Sequence, residues 1–313
     1  VNDKLVSMSL LGRYGRFGNQ LFQYAALRIY ARRYGLQWQT APWVGEQLFG
    51  IVPSPLTVNL PPYNEGCGTF EKPCIDPPVG LSLMGHDYRG YAQYHTSYFF
   101  PHRKWLRELY RPAGAVKARF DQPLRTLRQR GNTLVGLHLR RGDYGRLAFY
   151  VTPVTWYLDW LRKNWCALDK PVLFIATESP ALVNEFARYD PVTAPDLGVD
   201  LKTAPLPSYH YLRFDVSNPT PWQMDFFPDW YFLTQCDMML IPNSTFSFTA
   251  AMFSDTVQHT FRSDLPTQEF VEIDPWNAAP LTYDLAEDWK HVPGVCLDST
   301  PYWKRLPDGR FEG

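Results

Sequence analysis

Three short segments carry residue types suited to holding a phosphorylated ligand. They are Gly12-Arg13-Tyr14-Gly15-Arg16-Phe17-Gly18-Asn19-Gln20, His138-Leu139-Arg140-Arg141-Gly142-Asp143-Tyr144 and Ile241-Pro242-Asn243-Ser244-Thr245-Phe246-Ser247. Glycine lets a backbone approach a ligand closely, and a helix start offers unpaired N–H groups. Arginine donates two parallel hydrogen bonds to phosphate oxygens through its planar fork. Ser244 and Thr245 can cap a helix and still leave N–H groups aimed at an anion. Each segment alone also has an ordinary reading, as a solvated arginine pair beside Asp143 or as a plain N-cap. Together, one in the first half and two in the second, they point to a cleft built for a diphosphate.

The surrounding pattern supplies elements to position them. The apolar run Leu5 to Leu11 reads as a strand feeding the first segment. Asn19 is the expected N-cap of a helix whose face is Leu21, Phe22, Ala25, Ala26, Ile29 and Tyr30, ended by Gly35 as a left-handed residue. Residues 41–80, rich in Pro and Gly, read as a long excursion with short strands. Helices are expected over 104–110 and 115–129, and Arg130-Gly131-Asn132 marks a domain boundary. Thr133 to Leu139 reads as a buried parallel strand, followed by a helix over 155–165, a strand over 171–177 and a helix over 180–189. After a Pro-rich aromatic stretch come a helix at 229–236, a strand at 238–241 and a helix at 245–253. This alternation implies a parallel sheet with right-handed crossovers. Arg140 and Arg141 then lie at the carboxyl end of a strand, where open α/β sheets bind ligands. Strand alternation predicts that one meets phosphate and the other holds the loop.

Composition narrows the function class. Lys plus Arg equal Asp plus Glu at 31 each, so a dedicated nucleic-acid binder is not expected and any anion site is local. Eleven Trp and 19 Tyr suit sugar stacking, although core packing accounts for most of them. The five cysteines, Cys67, Cys74, Cys166, Cys236 and Cys296, form no CxxC pair and fit reduced thiols, with Cys67–Cys74 the one plausible bridge. No run of about 20 apolar residues and no signal peptide is visible, so a cytoplasmic protein is expected. The chain opens on Val1, which leaves room for a segment ahead of it. No DxD, HExxH, GxxxxGK[ST] or GxSxG occurs, and no metal site is expected among the scattered histidines.

The segments GRFGNQLFQYA (15–25), HLRRGDY (138–144) and NSTFS (243–247), with DWYFLTQC (229–236), together resemble the α-1,2-fucosyltransferase family. That family sits in a wider clan with α-1,6- and protein O-fucosyltransferases. The chain departs from it at Phe248 and Thr249, where two tryptophans are usual, and at Ala176-Thr177-Glu178-Ser179. The resemblance implies an α/β protein of GT-B type, two Rossmann-like domains facing a central cleft. Residues 1–130 would form the acceptor-side domain and 131–289 the donor-binding domain, with the tail 290–313 packing back on the first. It implies inverting, metal-independent transfer of L-fucose from GDP-β-L-fucose to an oligosaccharide or galactoside acceptor, with no cofactor beyond that donor.

On this reading Arg140 meets charge building on the departing β-phosphate, assisted by Ser244 and Thr245. Arg16, Gly18 and Asn19 close over the pyrophosphate or fucose from the opposite loop. His138 touches the nucleotide or orients Arg140, and Arg141 and Asn243 complete the donor pocket. Asp229 is a candidate acceptor for guanine N–H groups. Asp143 is either a base for the acceptor hydroxyl or a structural partner of its arginine neighbours, and the leaving phosphate can take the proton instead. The rival readings are a protein O-fucosyltransferase and a non-catalytic carbohydrate- or nucleotide-binding protein.

Overall fold

The computed structural model describes residues 4–12, 15–65, 76–142, 144–145, 149–199, 201, 224–282, 292–293, 304–305 and 311–312. In chain order the first half contains β1 (Leu5–Met8), α1 (Phe17–Tyr34), β2 (Gln37–Thr40), α2 (Gly45–Phe49), β3 (Pro62–Asn64), β4 (Asp87–Arg89), α3 (Arg103–Leu109) and α4 (Gly114–Gln129). The second half contains β5 (Thr133–Leu139), α5 (Val154–Asn164), β6 (Pro171–Thr177), α6 (Phe227–Thr234), β7 (Met238–Ile241), α7 (Thr245–Phe253), β8 (His259–Asp264) and β9 (Glu269–Ile273). A 3-10 segment, Pro180–Tyr189, follows β6 where a helix was expected.

Each half builds its own sheet. The first is parallel with order β2-β1-β4-β3, and the second has order β6-β5-β7-β8-β9. Four strands of the second sheet are parallel, but β9 returns antiparallel to β8 and closes the edge. The expected all-parallel sheet therefore gains a terminal hairpin, joined by a turn in which Asp264 accepts from the N–H and hydroxyl of Thr267.

Strand parity sorts the core of the second half. Val135, Leu137 and Leu139 of β5, with Leu173 and Ile175 of β6, face Trp156, Tyr157 and Trp160 of α5. The alternate positions Leu134, Val172, Phe174 and Ala176 join the other core, with α6 and α7. Gly136 lies on that second face, where an added Cβ would sit 2.7 Å from Cys236 Sγ. Period-two alternation with both faces covered explains why β5 and β6 are continuously apolar.

α1 is buried almost all round, because β1 lies on one side of it and α7 on the other. It begins at Phe17 with Arg16 as N-cap, three residues ahead of the expected cap, so Asn19 lies within its first turn. Gly35 ends it at φ 63°, the left-handed residue the sequence called for. Phe17 and Phe49 reach Phe227 and Trp230 of α6, and Phe22 reaches Phe248 of α7, so one core runs between the two sheets. α4 packs through Phe120 on Tyr231 and Phe232 of α6.

Candidate active site

Both sheets reverse strand order at the strand that feeds a motif. In the first, β1 pairs with β2 on one side and β4 on the other; in the second, β5 pairs with β6 and β7. Such reversals open a crevice beyond the carboxyl ends of the strands. The glycine segment leaves β1 and the histidine–arginine segment leaves β5 at these points. The Asn243 turn leaves β7, the immediate neighbour of β5. Asp87 fixes the exit from β1, accepting from the Ser7 hydroxyl at 2.8 Å and from the Ser9 N–H at 2.7 Å.

The glycine segment and the Asn243 turn touch directly. An added Cβ on Gly18 would lie 2.5 Å from the carbonyl carbon of Thr245 and 2.6 Å from the Phe246 nitrogen. Gly18 is therefore required for the first turn of α1 to pass against that of α7. The Thr245 hydroxyl donates to Asn19 Oδ1 at 2.7 Å, and Gln93 Nε2 donates to the same oxygen at 2.8 Å. Gln93 is delivered by a turn after β4 whose Tyr91 and Ala92 N–H groups donate to Glu65. No local pattern marks Gln93 or Glu65 in the sequence, because their roles depend on β3 and β4 pairing.

α7 starts without a side-chain cap, and the Ser244 hydroxyl makes no cap hydrogen bond. The amides of Thr245, Phe246 and Ser247 have no acceptor among the described residues. Three aligned donors at the start of a nine-residue helix form an anion-receptive end. Asn243 has a different task. Its amide donates to the Thr282 carbonyl at 2.5 Å and accepts from the Thr282 N–H at 2.9 Å, so its side chain holds a loop and is not available to a nucleotide. The asparagine of the sequon at 243–245 is correspondingly buried, at 0% exposure.

β5 places His138 on the face that looks at α7. The imidazole is buried, its Nδ1 is 2.8 Å from Ser247 Oγ, and its ring is 5.2 Å from that of Phe246. Burial, with the charges of Arg140 and Arg141 adding to it, pushes its pKa well below the usual imidazole range. His138 is thus neutral and ties β5 to α7. Arg141 is buried as well: its Nη1 donates to the Arg140 carbonyl at 2.8 Å, which makes it the loop-holding member of the pair. Arg140 lies with its guanidinium carbon 5.1 Å from the Tyr144 ring centre, and the Tyr144 hydroxyl donates to the Asn243 carbonyl at 2.7 Å. This chain of contacts joins Arg140 to the Asn243 turn. Gly142 takes φ 53°, the left-handed turn that folds the segment back.

Glu178, just beyond β6, organises this corner. Its Oε1 accepts from Arg140 Nη1 at 3.0 Å and from the Arg141 N–H at 2.7 Å. Asp229, in the first turn of α6, is pushed up to about 7, chiefly by burial, then by the Glu178 charge, with Asp225 adding and a Thr177 backbone hydrogen bond opposing. The raised pKa lets the Asp229 carboxyl donate as well as accept a hydrogen bond. Arg16 is exposed at the mouth of the glycine segment. Asp143 lies outside the described residues, as do Arg13 and Tyr14. Among the described residues, no group of three or more His, Cys, Asp or Glu is placed to share a metal.

The two departures at 248 and 249 are packing positions. Phe248 is fully buried against Phe22, and the Thr249 hydroxyl accepts from Trp230 Nε1 at 3.2 Å. Cys166 and Cys236 are free thiols; Cys67, Cys74 and Cys296, and most of the tail, lie outside the described residues.

No protein-family model matches the chain. It is 26% identical over 311 residues to galactoside alpha-(1,2)-fucosyltransferase 1 of Mico humeralifer, covering 92% of this chain and 75% of that protein. The same enzyme of Alouatta caraya is 27% identical over 322 residues with the same coverage. Among solved structures, the alpha-1,6-fucosyltransferase NodZ soaked with GDP-fucose superposes with a TM-score of 0.51 at 15% identity, covering 87% of this chain and 99% of that one. A mutant of Arabidopsis thaliana FUT1 in complex with GDP superposes with a TM-score of 0.55 at 10% identity, covering 98% of this chain and 82% of that one. The resemblance read from the motifs thus extends over most of the chain, and the GT-B arrangement of two Rossmann-like units is shared.

Proposed function

We infer that this chain is a glycosyltransferase of the α-1,2-fucosyltransferase group, using GDP-fucose as donor and a galactoside as acceptor. One observation carries the reading. The turns after β5 and β7 lie side by side at a strand-order reversal, joining Arg140 to a helix start whose first three amides have no acceptor among the described residues. The glycine turn of the other half is bonded to that same helix start.

In this arrangement the pyrophosphate lies over the first turn of α7, where the amides and the Ser244 hydroxyl donate to its oxygens. As the bond to the sugar breaks, charge grows on the outer phosphate, and Arg140, held in place by Glu178, meets it with a donor set in advance. Placing that donor beforehand avoids reorganisation during reaction. The acceptor hydroxyl attacks from the opposite face of the sugar, giving inversion, and its proton passes to a carboxylate or to the leaving phosphate. Asp229 contributes a side chain able to accept from a guanine edge once ionised. This reading assigns the neutralisation of the phosphate charge to protein groups, with no divalent ion required.

The experiment is to incubate the protein with GDP-fucose and a panel of galactosides, with and without EDTA, measuring GDP release and locating the new bond by NMR. An α-1,2-linked product formed equally in EDTA is the expected result. Transfer abolished by chelation would remove the metal-independent mechanism, and binding of GDP without turnover on any acceptor would leave a nucleotide-binding protein.

A further inference from the structure

The far end of α1 carries a concentration of charge that sugar transfer does not use. Arg32 and Arg33 lie exposed in its last turn, and Arg103 and Lys104 lie exposed at the start of α3 beside them. Aromatic rings are set among these cations. The guanidinium carbon of Arg32 is 5.4 Å from the Trp105 ring centre, that of Arg33 is 5.5 Å from Tyr98, and that of Arg103 is 4.3 Å from Phe100. Phe100 itself is 44% exposed. Arg28, stacked 3.9 Å from Trp38 and 5.7 Å from Trp105, ties the rings together beneath the outer charges.

Internal electrostatics explain only half of this. Arg32 and Arg33 complement the negative end of α1. Arg103 and Lys104 stand in the first turn of α3, the positive end of that helix, where cations are disfavoured and no acidic residue is present. Among the described residues no carboxylate pairs with any of these four cations. The neighbouring Arg107 and Arg111 are turned toward Asp255, and Glu108 is the one acid on α3. His102, immediately ahead of α3, has its pKa lowered by burial and then by Arg33 and Arg32. A chain with 31 positive and 31 negative residues gathers such a face only by segregating charge.

We propose that this face, Arg32, Arg33, Arg103 and Lys104 with Phe100 and Trp105, is a peripheral docking surface for an anionic lipid bilayer. Exposed cations interleaved with rings match the charge and polarity gradient of an anionic headgroup layer. Association would be peripheral, since no helix among the described residues is long and apolar enough to cross a membrane. The 18 residues of α1 separate the face from the glycine turn by about 27 Å, so docking leaves the sugar-transfer site open. Nucleic acid is the poorer occupant, because Trp105 and Tyr98 are already stacked on the chain's own guanidiniums and offer no free platform for bases. The proposal does not depend on the sugar-transfer reading.

The test is sedimentation of the full chain with vesicles of phosphatidylcholine alone or with about 30 mol% phosphatidylglycerol, in low and high salt. Binding to the anionic vesicles alone, lost in high salt, is expected. Charge reversal by R32E, R33E, R103E and K104E together should weaken that binding about a hundredfold or more, and R32Q with R33Q should weaken it less. Circular dichroism and the thermal unfolding midpoint report whether each variant is folded. Folded wild-type protein that ignores anionic vesicles, or binds neutral ones equally, overturns the proposal. So does a folded charge-reversed protein that still binds, or a wild type that prefers single-stranded RNA to the vesicles.

Discussion

At the scale of single residues, the pocket depends on how Glu178 disposes its neighbours. One carboxylate oxygen receives both the Arg140 side chain and the Arg141 N–H, so it sets the aim of the guanidinium and the shape of the turn together. Arg140→Ala should lower turnover at least ~100-fold in the GDP-release assay, the cost of one preorganised donor to a growing charge. Turnover near that of the wild type would remove Arg140 from the reaction. Glu178→Ala should cost roughly 10- to 100-fold, and Glu178→Gln less, since the amide keeps one accepting oxygen. If Gln and Ala behave alike, the ion pair rather than the hydrogen-bond geometry is what Arg140 needs. Glu178 lies in a stretch the sequence marked only as a departure, and its role became visible once β5 and β6 were paired in register.

At the scale of elements, two helix starts meet, and a glycine decides how closely. α1 and α7 come from opposite halves, yet Gly18 lies against the backbone of Thr245 and Phe246 with no room for a methyl group. Gly18→Ala should destabilise the protein by about 1–3 kcal/mol, read as a lower unfolding midpoint, and should weaken GDP binding because the α7 amides shift with it. Unchanged stability would mean that the halves separate without cost at this point. The sequence singled out this glycine for approach to a ligand; the structure adds approach to another helix. The same applies to Asn19, expected as a cap and found accepting from Thr245 and Gln93.

At the scale of the whole molecule, two carboxyl groups make stability depend on pH. Glu46 in α2 and Asp229 in α6 are both pushed up to about 7, each mainly by burial. Unfolded carboxyls titrate near ~4, so the folded chain holds these protons more tightly. Their contribution to stability is full below about pH 4 and is lost as pH rises through about 7. Glu46→Gln and Asp229→Asn should each flatten that fall, measured as the urea midpoint at about pH 5 and about pH 8. An unaltered pH slope in both variants would show that neither group is desolvated in the folded protein. Glu46 is the cleaner probe, since its Oε2 is buried with no hydrogen-bond partner among the described residues and no motif contains it.

The sequence by itself determined the local framework. β5, β6, β7 and α7 have the bounds that apolar runs and turn residues announce, because burial on both faces is written in consecutive residues, although Ser244 makes no cap hydrogen bond. It also supplied the three motifs and, through them, the resemblance. Tertiary structure decided which motif residues are free to act. The Asn243 amide is committed to Thr282 and one ring nitrogen of His138 to Ser247, while the α7 amides have no acceptor among the described residues. Glu178, Gln93 and Glu65 joined the site through strand pairing across tens of residues, and β8 and β9 formed an edge hairpin. Spacing along a chain records what a segment can become. Which donors remain unspent is settled only when distant segments have taken their share.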